Sequence, residues 1–259
     1  MFKKNREIYK KISVVALPII LQNIIDAAVN SADVLMLNTV GQTAISAVSL
    51  CSSFVGLIFV FQYGIGTGIA MLAAQYYGKK DMRTIEKIEG IGLRFALSLA
   101  IIAMVLCLFV PGLVMRVFTN DEELVACGIQ YLRIIAPGFI FWAISSVYMS
   151  ILRCIDKVST STVLEAIALV CNVCLNAVFI FGLFGAPKMG VLGVAIATTA
   201  SRVIQFICCV VVSAKDPGVK LKLSTVFVKH PLLQKDFMTM ALPAIANDVV
   251  LVAVEFADS

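Results

Sequence analysis

The chain has 259 residues, 60% of them hydrophobic and only 14% charged, with a mean hydropathy of +0.98. That composition excludes a soluble globular surface and marks an all-α or β-barrel integral membrane protein. The formal net charge of +5 comes from basic linkers between apolar runs, which is a topology signal and calls for no nucleic acid.

Mostly apolar runs long enough to cross roughly 30 Å of hydrocarbon as helices lie near Ile12 to Leu37, Ala47 to Ala74, Leu93 to Val117, Leu124 to Leu152, Thr160 to Gly185 and Gly190 to Ala214. A seventh begins near Phe237. The runs are continuous and lack period-two alternation, so barrel strands are excluded and helices remain. Gly, Pro, Asp and Lys punctuate the linkers, as in 77–81, 119–123, 186–188 and 215–218. The expected organisation is a six-helix lobe over 1–214, a cytoplasmic linker over 215–236 and the first helix of a second lobe over 237–259.

Basic residues concentrate on one side. They fill the N-terminal tail (Lys3, Lys4, Arg6, Lys10, Lys11), the linker after the second span (Lys79, Lys80, Arg83, Lys87, Arg94), that after the fourth (Arg153, Lys157) and that after the sixth (Lys215, Lys220, Lys222, Lys229, Lys235). Arg116 and Lys188 are on the other side. The positive-inside rule predicts a cytoplasmic N-terminus and a multi-pass protein of the inner (plasma) membrane. A cleaved signal peptide is the competing reading of the N-terminus. Asp26 interrupts its apolar region, and the same pattern begins again at Ala241.

That second occurrence is a repeat. Ala16 to Asp33 returns without a gap as Ala241 to Asp258, identical at eight of eighteen positions, including Ala-Leu-Pro at the start and Ala-Asp at the end. Six spans separate the copies, so both run in the same direction and the lobes are related by an axis along the membrane normal. The second copy stops one residue past Asp258. On span length, the expectation is the N-terminal half of a longer protein that lacks its second lobe. A homodimer of halves is the alternative.

Polar residues inside the spans carry the functional signal. Asn23, Asp26, Asn30 and Asp33 share one face of the first span. A lone acid near mid-bilayer costs about 2.5 to 3.5 kcal/mol on insertion scales, so this stripe calls for a wet cavity or polar partners. Glu165, Asn172 and Asn176 in the fifth span offer a matching stripe, as do Thr198, Ser201, Arg202 and Gln205 in the sixth. Oxygen-rich stripes can enclose Na⁺, and a lone carboxylate can instead carry a proton. Interhelical hydrogen bonding that only holds the bundle is the alternative for the amides. Glu165 either reaches the interface or faces inward; Arg202 snorkels, pairs with an acid or lines the cavity.

Two further patterns have structural readings. The eight cysteines lie in or beside apolar spans, and Cys171-x-x-Cys174 has neither a second pair nor a histidine beside it, which favours small buried hydrophobes over metal or redox work. Gly64-Ile65-Gly66-Thr67-Gly68 lacks the strand and final glycine of a dinucleotide fingerprint, and its spacing suits close helix approach. No ATP-binding motif is present, and no nucleophile, base and orienter occur together, so the chain reads as a non-enzyme without a bound cofactor.

Several segments together resemble one family. They are the Ala-Leu-Pro opening of the first span with Asp33 in Ser-Ala-Asp-Val-Leu-Met-Leu, Ala74-Gln75-Tyr76-Tyr77-Gly78-Lys79-Lys80-Asp81, and Ile151-Leu152-Arg153. Asn172-x3-Asn176 followed by Phe181-Gly182-Leu183-Phe184-Gly185, and the run 190–198, complete the set. Their order and spacing resemble the multidrug and toxic compound extrusion (MATE) family. The resemblance implies a secondary-active antiporter, coupled to Na⁺ or H⁺, that exports cationic amphipathic compounds by alternating access between two six-helix lobes. It implies Asp33, Asn172, Asn176 and Thr198 as the cation-coupling set, with Asp33, Asn172 and Asn176 as Na⁺ ligands. Asp26 and Tyr131 match positions lining the neighbouring cavity, to which Asn30 and Arg202 add polar groups. Archaeal members carry an acid where this chain has Asn176, which puts a proton-only mechanism in doubt. A lipid-linked oligosaccharide flippase of the wider superfamily is the runner-up and would want a more cationic cavity than Arg202 and Arg133 provide. A non-transporting membrane fragment or subunit is the third reading.

Overall fold

The computed structural model describes residues 41–216, 218, 220–228 and 230–258 together with Met36, leaving aside the side chains of 223, 224, 248 and 251–258. The described residues form helices joined by short turns, and no strand occurs among them.

Helix α1 (Gln42–Gly78) is 37 residues long, or about 55 Å at 1.5 Å per residue, longer than the roughly 30 Å of hydrocarbon a span must cross. It closes at Lys79, and Lys80 takes a left-handed turn (φ 59°). Asp81 then caps α2 (Met82–Phe109) by accepting from Thr84 N at 3.1 Å and Thr84 Oγ1 at 2.6 Å. These bonds hold the Asp81 carboxyl below its usual range, the Thr84 hydroxyl contributing most.

Two predicted spans turn out to be broken, each at a proline. The third ends its long helix at Phe109, and a separate short helix, α3 (Pro111–Arg116), follows with Pro111 in its first turn. The fourth is α4 (Glu122–Ile135) and α5 (Gly138–Cys154), bent by 51° at Ala136–Pro137. Pro137 has no N–H for the helical ladder, and its ring collides with the carbonyl four residues back.

Helix α6 (Val158–Phe181) stops at Gly182 in the left-handed region (φ 72°). A 3₁₀ turn over Leu183–Gly185 leads on to α7 (Val191–Lys215). A second 3₁₀ turn, Leu223–Phe227, precedes α8 (Pro231–Asp258), which starts ahead of the Phe237 expected from hydropathy and continues through Pro243. Four of the described helices are long and apolar enough to cross a membrane, or five with the bent α4–α5 pair as one.

Helix α1 is the hub, packed against α2, α4, α5 and α8, while α6 and α7 pair with each other and α7 lies on α4 and α5. The glycine run proves to be a seat for α8. A Cβ on Gly68 would come within 2.6 Å of the Ala241 Cβ, and one on Gly64 would overlap Ile245, so two glycines one turn apart receive two residues one turn apart. Outward faces are apolar, with Phe59, Met71, Ile101, Ile102, Val163, Val170 and Ile207 exposed, as a lipid-facing surface requires. Of the cysteines, Cys51, Cys107 and Cys209 are buried. Cys174 is exposed, which corrects the reading of all eight as buried: its half of the C-x-x-C faces outward, and all eight are free thiols.

Candidate functional site

The expected stripes of the fifth and sixth spans meet. The Asn176 amide donates to Asn172 Oδ1 at 3.3 Å, and Asn172 Nδ2 in turn approaches Thr198 Oγ1 at 3.4 Å and Ser201 Oγ at 3.5 Å. Asn176 and Ser201 are buried and Asn172 is half-buried. Helical spacing makes this ladder: 172 and 176 are one turn apart on α6, as are 198 and 201 on α7. The two helices run antiparallel, since Glu165, seven residues before Asn172, meets Gln205, seven residues after Thr198.

That second contact belongs to a separate polar cluster. Gln205 Nε2 donates to Glu165 Oε2 at 3.0 Å, Arg202 Nη1 donates to Gln205 Oε1 at 3.2 Å, and Arg202 stands 3.8 Å from Glu165 Oε1. The Arg202 guanidinium also lies over the Trp142 ring, 5.6 Å from its centroid. Glu165 retains 15% side-chain exposure, so of its two readings the inward one holds. Arg202 pairs with an acid. The cluster is internally neutral, and each of its charged groups meets an opposite charge or an aromatic face.

The Asn172–Asn176–Thr198–Ser201 ladder is different in kind. It offers amide and hydroxyl oxygens and no charge, hard donors of the kind a cation accepts, to which a carboxylate would add charge. Asp33, Asp26 and Asn30 lie outside the described residues. Tyr131 is buried on α4, which packs on α7. Among the described residues, no group of three His, Cys, Asp or Glu could hold a metal ion.

Sequence reasoning passed over three polar residues. Gln62 on α1 is buried and donates to Ser146 Oγ on α5 at 3.2 Å. Trp142 supplies the face under Arg202, a role that no sequence period announces. Glu89, on α2, is buried, and the neighbouring spacing Glu86, Gly90, Arg94 on one helix face is the signal that draws attention to this stretch.

Comparison with known proteins agrees with this architecture. A family model described as MatE matches residues 18–178, more than half of the chain. Among curated proteins, the chain is 28% identical over 229 residues to "Uncharacterized transporter YisQ" of Bacillus subtilis, covering 88% of this chain and 50% of that one. It is 26% identical over 234 residues to "Probable multidrug resistance protein YoeA" of the same organism, covering 89% and 47%. The chain thus spans about half the length of the curated relatives it matches. Among solved structures, a MATE protein crystallised in a bent conformation superposes with a TM-score of 0.84 at 22% identity, over 96% of this chain and 55% of that one. The likeness is one of fold: an all-α membrane bundle.

Proposed function

This chain belongs to the MatE family, and from that premise we propose that it supplies a lobe of a cation-coupled exporter of cationic amphipathic compounds working by alternating access. It is a multi-pass membrane protein; we place its N-terminus and its basic linkers on the cytoplasmic side of the plasma membrane, in keeping with the charge bias.

The observation that carries the reading is the partly buried ladder of Asn172, Asn176, Thr198 and Ser201 across α6 and α7. It gathers neutral oxygens on two antiparallel helices without a charge of its own. Asp33 is the residue we assign to complete it. A carboxylate there gives Na⁺ a hard-oxygen site or takes a proton directly. Either event removes a negative charge from the lobe interior and biases the equilibrium between inward- and outward-open states. Relatives named as multidrug resistance proteins support the substrate class.

The geometry favours export over flipping of anionic lipid-linked sugars. Such a flippase wants unpaired cations along its cavity, but Arg202 is engaged by Glu165, Gln205 and Trp142, and Arg133 is exposed on α4.

The test is efflux of a fluorescent organic cation from proteoliposomes carrying the chain as one lobe of a two-lobe transporter, driven separately by a Na⁺ and a proton gradient. Wild type is expected to extrude under one gradient, Asp33→Asn to lose extrusion, and Asn172→Ala to weaken it by raising the ion concentration required. Equal extrusion by wild type and Asp33→Asn overturns the assignment of the coupling residue, and no gradient-driven efflux by wild type overturns the exporter reading for this chain.

A further inference from the structure

Helix α2 grips the segment that leads into α8. Glu86, Gly90 and Arg94 fall one turn apart on one face of α2. Lys222 Nζ donates to both Glu86 oxygens at 2.9 Å. Thr225 seats on Gly90, where a Cβ would come within 2.7 Å of the Thr225 Cβ and carbonyl oxygen. Arg94 Nε donates to Val226 O at 2.9 Å and its Nη2 to Val228 O at 2.6 Å. The segment's near end is tied by Leu221 N, which donates to Ser213 Oγ at 2.6 Å. One stripe thus supplies an ion pair, a steric seat and two carbonyl bonds.

Beside this dock is Glu89, four residues ahead of the predicted third span. Its side chain has no solvent exposure, and neither carboxylate oxygen has a hydrogen-bond partner among the described residues. An ionised carboxylate in that position would lose its hydration without any compensating bond, a cost large enough that the group keeps a proton instead. The charges that act on it are Glu86 on its own helix and Lys222 on the docked segment. These two are already paired with each other. Tyr148 on α5 feels both Glu89 and Asp216, and Asp216 is engaged by Lys157. Arg94 is turned to the linker carbonyls. Among the described residues, α1 and α8 add no charge to this set.

We propose that Glu89 is a proton-binding site linked to the docking of residues 220–228: a neutral buried acid while the segment is seated on Glu86, Gly90 and Arg94, and a hydrated carboxylate once the segment lifts. This site is separate from the ladder on α6 and α7 and does not rest on the exporter reading. Docking binds a proton, so it is strongest below the ordinary glutamate range, about pH 4.3, and weakens as pH rises. The slope is about tenfold per pH unit until Glu89 ionises in place.

The test is amide exchange of residues 220–228 in the full chain in phospholipid nanodiscs, expressed as protection factors between about pH 5 and 8, a range chosen to lie above the ordinary glutamate value. All samples carry His230→Gln, which removes the histidine at the edge of the dock. Wild-type Glu89 is expected to lose protection as pH rises, whereas Glu89→Gln keeps it at every pH. Arg94→Ala lowers protection throughout and shows that the readout reports docking. Infrared spectra provide a measurement on the Glu89 protein itself: a protonated-carboxyl band at neutral pH, diminished in Arg94→Ala. Parallel pH profiles for Glu89 and Glu89→Gln, or a carboxyl band unaffected by Arg94→Ala, overturn the proposal.

Discussion

Glu165 and Glu89 are both acids withdrawn into an apolar bundle, and the chain accommodates them in opposite ways. Glu165 has an amide and a guanidinium from α7 beside it, the guanidinium itself lying over an aromatic ring of α5. Glu89 has no hydrogen-bond partner on either oxygen among the described residues, while its neighbour Glu86 holds the lysine that could have served it. Burial alone therefore does not decide a carboxyl group's charge; the partners that the fold delivers do. A paired acid is held in place by its partners and stiffens the structure. An unpaired one stays protonated and responds to anything that lets water in.

The strongest way to break the contrast is to make Glu165 resemble Glu89. Arg202→Leu leaves a carboxylate with one amide donor in the interior, and destabilisation by about 3 kcal/mol is expected from unfolding in detergent, within the range for stranding half of a buried pair. Adding Glu165→Gln in the same chain is expected to restore most of the loss. A double variant as unstable as Arg202→Leu alone shows that the cluster matters through packing rather than charge.

Gly90→Leu attacks the other side. The new side chain has no space beneath Thr225, so the segment lifts at a cost of about 1 to 3 kcal/mol, the usual scale of overpacking. Faster trypsin cleavage at Lys220 and Lys222 reads this directly, while the Glu165 cluster stays intact. Smaller still is the pair Glu89→Gln and Glu165→Gln, whose effects at neutral pH are expected to differ in sign. The first is neutral or stabilising by up to about 1 kcal/mol, because it replaces an acid already uncharged. The second destabilises by about 1 to 2 kcal/mol, because it removes the charge that Arg202 answers. Equal effects would erase the distinction.

Much of this fold is legible in the chain itself. Apolar run length gives the helices, and glycine spacing at Gly64 and Gly68 announces the seat for α8, because both signals are local. The bend at Pro137 was equally local but was overridden by the hydropathy of the residues around it, which stays high through the break. The ladder was legible as two stripes, since a period of 3.6 puts 172 with 176 and 198 with 201 on one face. What periodicity cannot show is who stands opposite. Trp142 under Arg202 and the segment 220–228 against Glu86, Gly90 and Arg94 are pairings across long stretches of chain, set by how α5 and α2 pack.

The mildest test concerns Asp216, where the linker begins. Burial pushes its carboxyl up, but Lys157 and the Gly218 N–H, which donates to Oδ1 at 2.8 Å, outweigh it and hold the group below the usual aspartate range. The sign is thus opposite to that expected for Glu89. An acid with a depressed value contributes stability that is complete above the ordinary aspartate range, about pH 3.9, and is lost as pH falls through the lowered folded value. Exchange at Gly218 is therefore expected to be flat from neutral pH down to the aspartate range and to accelerate only below it. In Asp216→Asn the acid step disappears, and protection is lower from the outset because the tie to Lys157 is gone. Across the neutral range, where Glu89 is expected to loosen the dock as pH rises, Asp216 keeps its charge and the turn at 216–218 holds. Two acids, one in the first turn of the linker and one on the helix that receives its far end, then respond in separate pH windows, and a Gly218 amide that loosened with rising pH would show that the turn is carried along with the dock rather than anchored by its own pair.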